Sequence, residues 1–143
     1  MKDKENLKIA TTIEQSKALI EMGVDTNTAD MHYRILDKNN IARSVLSLGY
    51  DGEDDTTIPA WSVSNLIAML PPLIIEQEKY VYTMSICHPV MTQAKYRVVY
   101  HCGQIYSSLC QSDNDCLIDS VVDVLDWLIQ HGYKDLIKKT NDK

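Results

Sequence analysis

KYVYTMSICHPVMTQAKYRVVYHCGQIYSSLCQSDNDCLIDSVVDVLDWLIQH, the stretch from Lys79 to His131, reads as three consecutive antiparallel strands that feed one amphipathic helix. The strand reading rests on alternation, because successive side chains of a strand point to opposite faces. Tyr80, Tyr82, Met84 and Ile86 share one face, and Tyr96, Val98, Tyr100 and Cys102 form the matching face of the next run. Pairing Met84 with Val98 and Tyr82 with Tyr100 makes the two apolar faces coincide, whereas a slip by one residue drives Lys95 and Arg97 into the core. The segment Pro89 to Gln93 is then a short hairpin loop. A turn at Gly103-Gln104 places Val98 opposite Leu109 and Tyr100 opposite Ser107, so a third strand is expected from Ile105 to about Cys110.

Side-chain oxygens at Ser112, Asp113, Asn114 and Asp115 suit the start of a helix, where the amides lack partners. Leu117, Val121, Val124, Leu125 and Leu128 then fall on one helical face, while Asp119, Asp123 and Asp126 lie towards another. Gly132 just beyond His131 is a stop signal. Laying this helix on the sheet removes several large apolar side chains from water, each worth roughly 1.5–3 kcal/mol when fully buried.

Upstream, Thr12 with Gln15 forms a capping box that opens a helix from Thr12 to Met22, ended by Gly23. Met31 to Leu36 and Ile41 to Leu48 read as a hairpin. Gly49 to Thr57 is an acidic, glycine-containing loop with little to bury. Ile58 to Trp61 leads into a short helix capped by Ser62 and stopped by Pro71-Pro72. Leu73 to Gln77 is an additional strand or an extended lead-in. The expected fold is α+β: a single antiparallel sheet of four to six strands, with about three helices packed mainly on one face. Residues 1–143 are expected to form one domain, with 1–8 and 134–143 as loose ends.

Composition bounds the function. The 143 residues are 45% hydrophobic and 24% charged, and 14 basic against 20 acidic residues give a net charge of −6. Lys and Arg supply most nucleic-acid affinity, so this balance disfavours broad nucleic-acid binding. No apolar run has the length of a spanning helix and no signal-peptide pattern follows Met1, so a cytoplasmic protein without a membrane partner is expected. In that compartment the 4 cysteines are expected to be reduced thiols.

The densest set of reactive side chains is Cys87-His88, His101-Cys102, Cys110 and Cys116. It lacks paired zinc-ligand spacing, and the hairpin holds Cys87 and Cys102 at opposite ends of a strand pair, so no metal or cofactor site is expected. The redox and metal role of Cys110 and Cys116 stays open. Adjacent Cys and His on a strand point apart, so neither pair is a catalytic dyad. Asp30 and His32 share a strand face without further specificity. No phosphate-loop, dinucleotide, nucleophile-elbow or zinc-protease motif occurs, and no catalytic residue is assigned. Candidate partner-binding residues are Trp61, an interface anchor or else a core closure, and two acidic groups: Asp51, Glu53, Asp54 and Asp55 on the loop, and Asp119, Asp123 and Asp126 on the helix.

Three stretches, IATTIEQSKALIEMGVDTNTADMHY (Ile9 to Tyr33), IPAWSVSNLIAMLP (Ile58 to Pro71) and CLIDSVVDVLDWLIQHG (Cys116 to Gly132), resemble small uncharacterised proteins carried by phages and mobile elements of gut bacteria. The resemblance implies no catalytic residue. It implies an accessory protein that binds a partner encoded by the host or the element. The leading expectation is therefore a non-enzymatic protein-interaction protein whose partner is another chain or a second copy. The alternatives are a small hydrolase or transferase with an unrecognised site and, third, an acidic mimic of nucleic acid.

Overall fold

The structure is a computed structural model and describes residues 8–52 and 55–138. It is α+β and falls into two compact units, one built on Ile9–Met69 and the other on Leu70–Ile137.

In the first unit the capping box forms as the sequence requires. The Gln15 amide donates to the Thr12 hydroxyl and the Thr12 amide donates to the Gln15 side chain, both at 3.0 Å. Helix α1 (Ile13–Glu21) follows and buries Ser16 and Leu19. Strands β1 (Met31–Arg34), β2 (Val45–Leu48) and β3 (Thr57–Ala60) make an antiparallel sheet in the order β2-β1-β3. The hairpin between β1 and β2 is present with shorter strands than expected, because Ile41–Arg43 winds into a 3-10 turn. Ala10, Met31 and Ala60 form a buried cluster with Tyr33 and Leu46 packed against it. Helix α2 (Val63–Met69) starts where the Asn65 amide donates to the Ser62 hydroxyl.

The second unit holds strands β4 (Leu73–Glu76), β5 (Tyr80–Cys87), β6 (Tyr96–Cys102) and β7 (Ser107–Asn114) in that spatial order, and helix α3 (Leu117–Gln130). Tyr82, Val98, Tyr100, Cys102 and Cys110 are buried on one sheet face, and α3 packs on β6 and β7 while burying Val121, Val124, Leu125 and Leu128. The Tyr100 hydroxyl donates to the Pro71 carbonyl at 2.6 Å, tying the proline segment to the middle of the sheet. Ile137 is buried and Lys134–Leu136 forms a 3-10 turn, and of the segments expected as loose ends residues 1–7 and 139–143 lie outside the described residues.

Four expectations need correction. There are two antiparallel sheets of 3 and 4 strands where one was expected, and the helices are shared between them, with α1 against β3 and α3 against β6 and β7. The physical reason lies at Pro59. Ile58–Ala60, expected as a lead-in, pairs with β1, and a proline without an amide proton makes β3 an edge at which the sheet stops. Second, the central hairpin is shifted: Met84 faces Tyr100 and Ile86 faces Val98, and the loop spans His88 to Lys95. Third, a β-bulge lies between the pairs His101–Ser108 and Tyr100–Cys110. The extra residue is Leu109, so the buried Cys110 stands opposite Tyr100, where Ser107 was expected, and Ser112 stands opposite Val98, where Leu109 was expected. Fourth, α3 is capped at Cys116 without a side-chain bond, because Ser112 to Asn114 remain in β7. Their side chains are already committed: Asp113 to Arg97, and Ser112 and Asn114 to Asp123.

Candidate functional site

The reactive side chains do not converge. Cys87 is exposed, and Cys102 and Cys110 are buried. Cys87 pairs with Arg97 at one end of β5, whereas Cys102 lies at the other end of β6 on the covered face. Burial pushes the Cys110 thiol up to about 11, which removes it from nucleophilic chemistry near neutral pH. Among the described residues no group of three His, Cys, Asp or Glu is arranged to hold a metal ion.

Three of the 4 histidines are tied to main chain, and His101 pairs with the Ser108 hydroxyl. A carbonyl accepts only, so Nδ1 of His32 donates to Gly49 at 2.7 Å and Nδ1 of His131 donates to Trp127 at 2.8 Å. His88 donates in the same way to Lys95, closing the β5–β6 loop. Asp30 accepts from both the amide and the hydroxyl of Ser62, at 2.8 and 2.5 Å, without His32 between them. This pair joins the start of β1 to the start of α2, a bracing role.

Trp61 is fully buried, and its indole N–H donates to the Thr28 hydroxyl at 2.8 Å. Of its two readings, core closure is the one its burial matches. The helix carboxylates have internal partners: Asp119 takes the Lys8 ammonium at 2.6 Å, Asp123 accepts from Ser112 and Asn114, and Asp126 accepts from Gln130. On the acidic loop Asp51 and Asp55 are exposed, and Glu53 and Asp54 lie outside the described residues.

Asp55 also rims a cleft of about 490 Å³ in the first unit. Lys17 and Ile20 of α1, Thr26, Tyr50 and the β3 residues Thr57, Ile58 and Pro59 complete its lining. The Thr57 hydroxyl oxygen is buried and has no hydrogen-bond partner among the described residues. The cleft offers one ammonium, one carboxylate and the hydroxyls of Thr26, Tyr50 and Thr57 beside the apolar Ile20, Ile58 and Pro59.

A different feature stands out on the second unit. Among the described residues strand β4 is a sheet edge, and the side chains that it turns away from α3, Leu73 and Ile75, are 44% and 56% exposed. The Met84 amide donates to the Pro72 carbonyl, which sets the phase of the β4–β5 ladder. Antiparallel pairing alternates, so Ile74 and Glu76 direct their N–H and C=O to β5, and Leu73 and Ile75 direct theirs outward. Comparison with protein-family models, curated proteins and solved structures finds no match. Sequence reasoning left Leu73–Gln77 open between strand and lead-in; the signal that finds the edge is Pro71-Pro72 followed directly by three apolar β-formers.

No helix among the described residues is long and apolar enough to cross a membrane.

Proposed function

We propose that this chain is a non-enzymatic protein-interaction protein that recruits its partner along β4. One observation carries the reading: an edge strand with outward main-chain donors and acceptors also presents two large apolar side chains to water. Such edges are aggregation liabilities that proteins ordinarily blunt with charge or cover, and extended partners bind them by adding a strand. Main-chain bonds then give affinity and Leu73 and Ile75 give specificity. A setting on a phage or other mobile element belongs to the same proposal and rests on the resemblance of Ile9–Tyr33, Ile58–Pro71 and Cys116–Gly132 to such proteins. A protein partner is favoured over nucleic acid by the net charge of −6.

The test is affinity capture with the tagged full chain from the cells that encode it, run beside Ile75→Lys. The expected result is a protein retained by the wild type and lost with the variant at unchanged melting temperature. Equal retention by both would remove β4 as the binding element.

A further inference from the structure

We infer that the cleft between α1 and β3 binds a free α-amino acid with an apolar side chain, its carboxylate taken by Lys17 and Thr57 and its ammonium by Asp55. The site lies within the first unit and is independent of the β4 reading.

Main-chain pairing sets its polar floor. The Ile35 amide donates to the Thr56 carbonyl at 2.8 Å, and the pairs Tyr33–Ile58 and Met31–Ala60 continue the same phase. Antiparallel pairing alternates, so Thr56, Ile58 and Ala60 turn their main-chain groups to β1, whereas Thr57 and Pro59 turn theirs to the other side of β3. The cleft lies on that side, because it is lined by the consecutive residues Thr57, Ile58 and Pro59 and so runs along the strand edge, not over one face. The edge presents the Thr57 N–H and the carbonyls of Thr57 and Pro59. The Thr57 hydroxyl, buried with no hydrogen-bond partner among the described residues, is a second donor from the same residue. A buried orphan hydroxyl costs stability, and a ligand that bonds to it recovers that cost.

The edge is closed to an added strand. Pro59 has no N–H to give, and α1 packs against β3. A compact ligand is the occupant that fits, since the cleft volume of about 490 Å³ lies within the roughly 300–1,000 Å³ of small-molecule sites.

Charge selects the chemistry of that ligand. Lys17 and Asp55 are both exposed, and neither has an ion-pair partner among the described residues. A ligand of one sign would satisfy one of them and repel the other; a zwitterion satisfies both. Lys17 and the two Thr57 donors suit a carboxylate, which only accepts. Asp55 and the outward carbonyls suit an ammonium, which only donates. Ile20, one helical turn beyond Lys17, and Pro59 supply apolar contact for the side chain.

The experiment is a titration of the isotope-labelled full chain with L-leucine, followed by amide NMR. Expected are saturable shifts at Lys17, Ile20 and Thr57, and binding weakened about tenfold or more by Lys17→Met or Asp55→Asn at unchanged melting temperature. N-acetyl-L-leucine, which lacks the ammonium, and L-leucinamide, which lacks the carboxylate, should each bind about tenfold or more weakly. Lys17→Met should abolish the advantage of leucine over leucinamide, and Asp55→Asn its advantage over N-acetyl-leucine. Should either variant lose melting temperature, the ligand series on the wild type decides alone. No saturable shift with L-leucine, or shifts away from the cleft, overturns the assignment. Equal affinity for leucinamide would make the site one for peptide N-termini, and equal affinity for N-acetyl-leucine one for peptide C-termini. Either overturns the free amino acid, as does equal affinity for glycine, which would remove the apolar wall.

Discussion

Gln77 and Glu78 sit side by side with φ of 55° and 60°, in the turn where the Lys79 amide donates to the Glu76 carbonyl. Two successive left-handed residues are the signature of a type I′ turn, a conformation that Asn and Gly enter readily and that costs other residues roughly 1–2 kcal/mol each. Gln77→Asn/Glu78→Gly is therefore expected to stabilise the second unit by about 1 kcal/mol. The measurement is the urea midpoint at unchanged slope; a lower midpoint would show that the long side chains repay the strain. The strain adjoins β4, so the native pair keeps the edge strand short.

Among the elements, α3 separates burial from charge. Leu125 is fully buried, and its neighbour Asp126 is half-buried with a Gln130 amide as its partner among the described residues. Leu125→Ala should cost about 2–5 kcal/mol, as large-to-small core changes do, whereas Asp126→Ala should stay within about 0.5 kcal/mol; denaturant melts of the two variants check the contrast. The elements also show what the amino-acid sequence discloses. The capping box at Thr12 and Gln15 and the core face of Tyr96, Val98, Tyr100 and Cys102 are legible, since each depends on local spacing. The β5–β6 register is not, because moving the strands by one full alternation leaves every side chain on its own face. The Leu109 bulge has no local signature, and it decides that Cys110 is core. The start of α3 misleads for another reason: Ser112, Asp113 and Asn114 are good caps whose side chains are committed elsewhere, Asp113 to Arg97 across the sheet and Ser112 and Asn114 to Asp123 on the helix. The candidate site was open for the same reason, since whether Leu73–Glu76 is a strand depends on Tyr80–Thr83 pairing with it.

Across the whole molecule, alkaline pH is the exposed flank. Burial raises the Cys110 thiol from 9.0 to about 11, and burial together with the hydrogen bond to Glu76 raises Tyr133 from 10.0 to about 12. Burial raises Tyr100 too. Below pH 9 folded and unfolded chains both keep these protons, and stability does not depend on them. Between the unfolded and folded values only the unfolded chain releases them, so stability falls as pH rises. Melting temperature should therefore drop between about pH 9 and pH 12, and Cys110→Ala should move the onset up towards the tyrosine range. A flat profile through pH 11 would contradict the burial of these groups.

The 2 tryptophans fall one to each unit. Trp61 is sealed from water, whereas Trp127 is half-exposed and stacked on His131 at 3.9 Å. The dry indole should therefore emit to the blue and the wetted, ring-covered one to the red. Fluorescence recorded at two wavelengths during one titration will report whether the halves come apart in a single event or in succession.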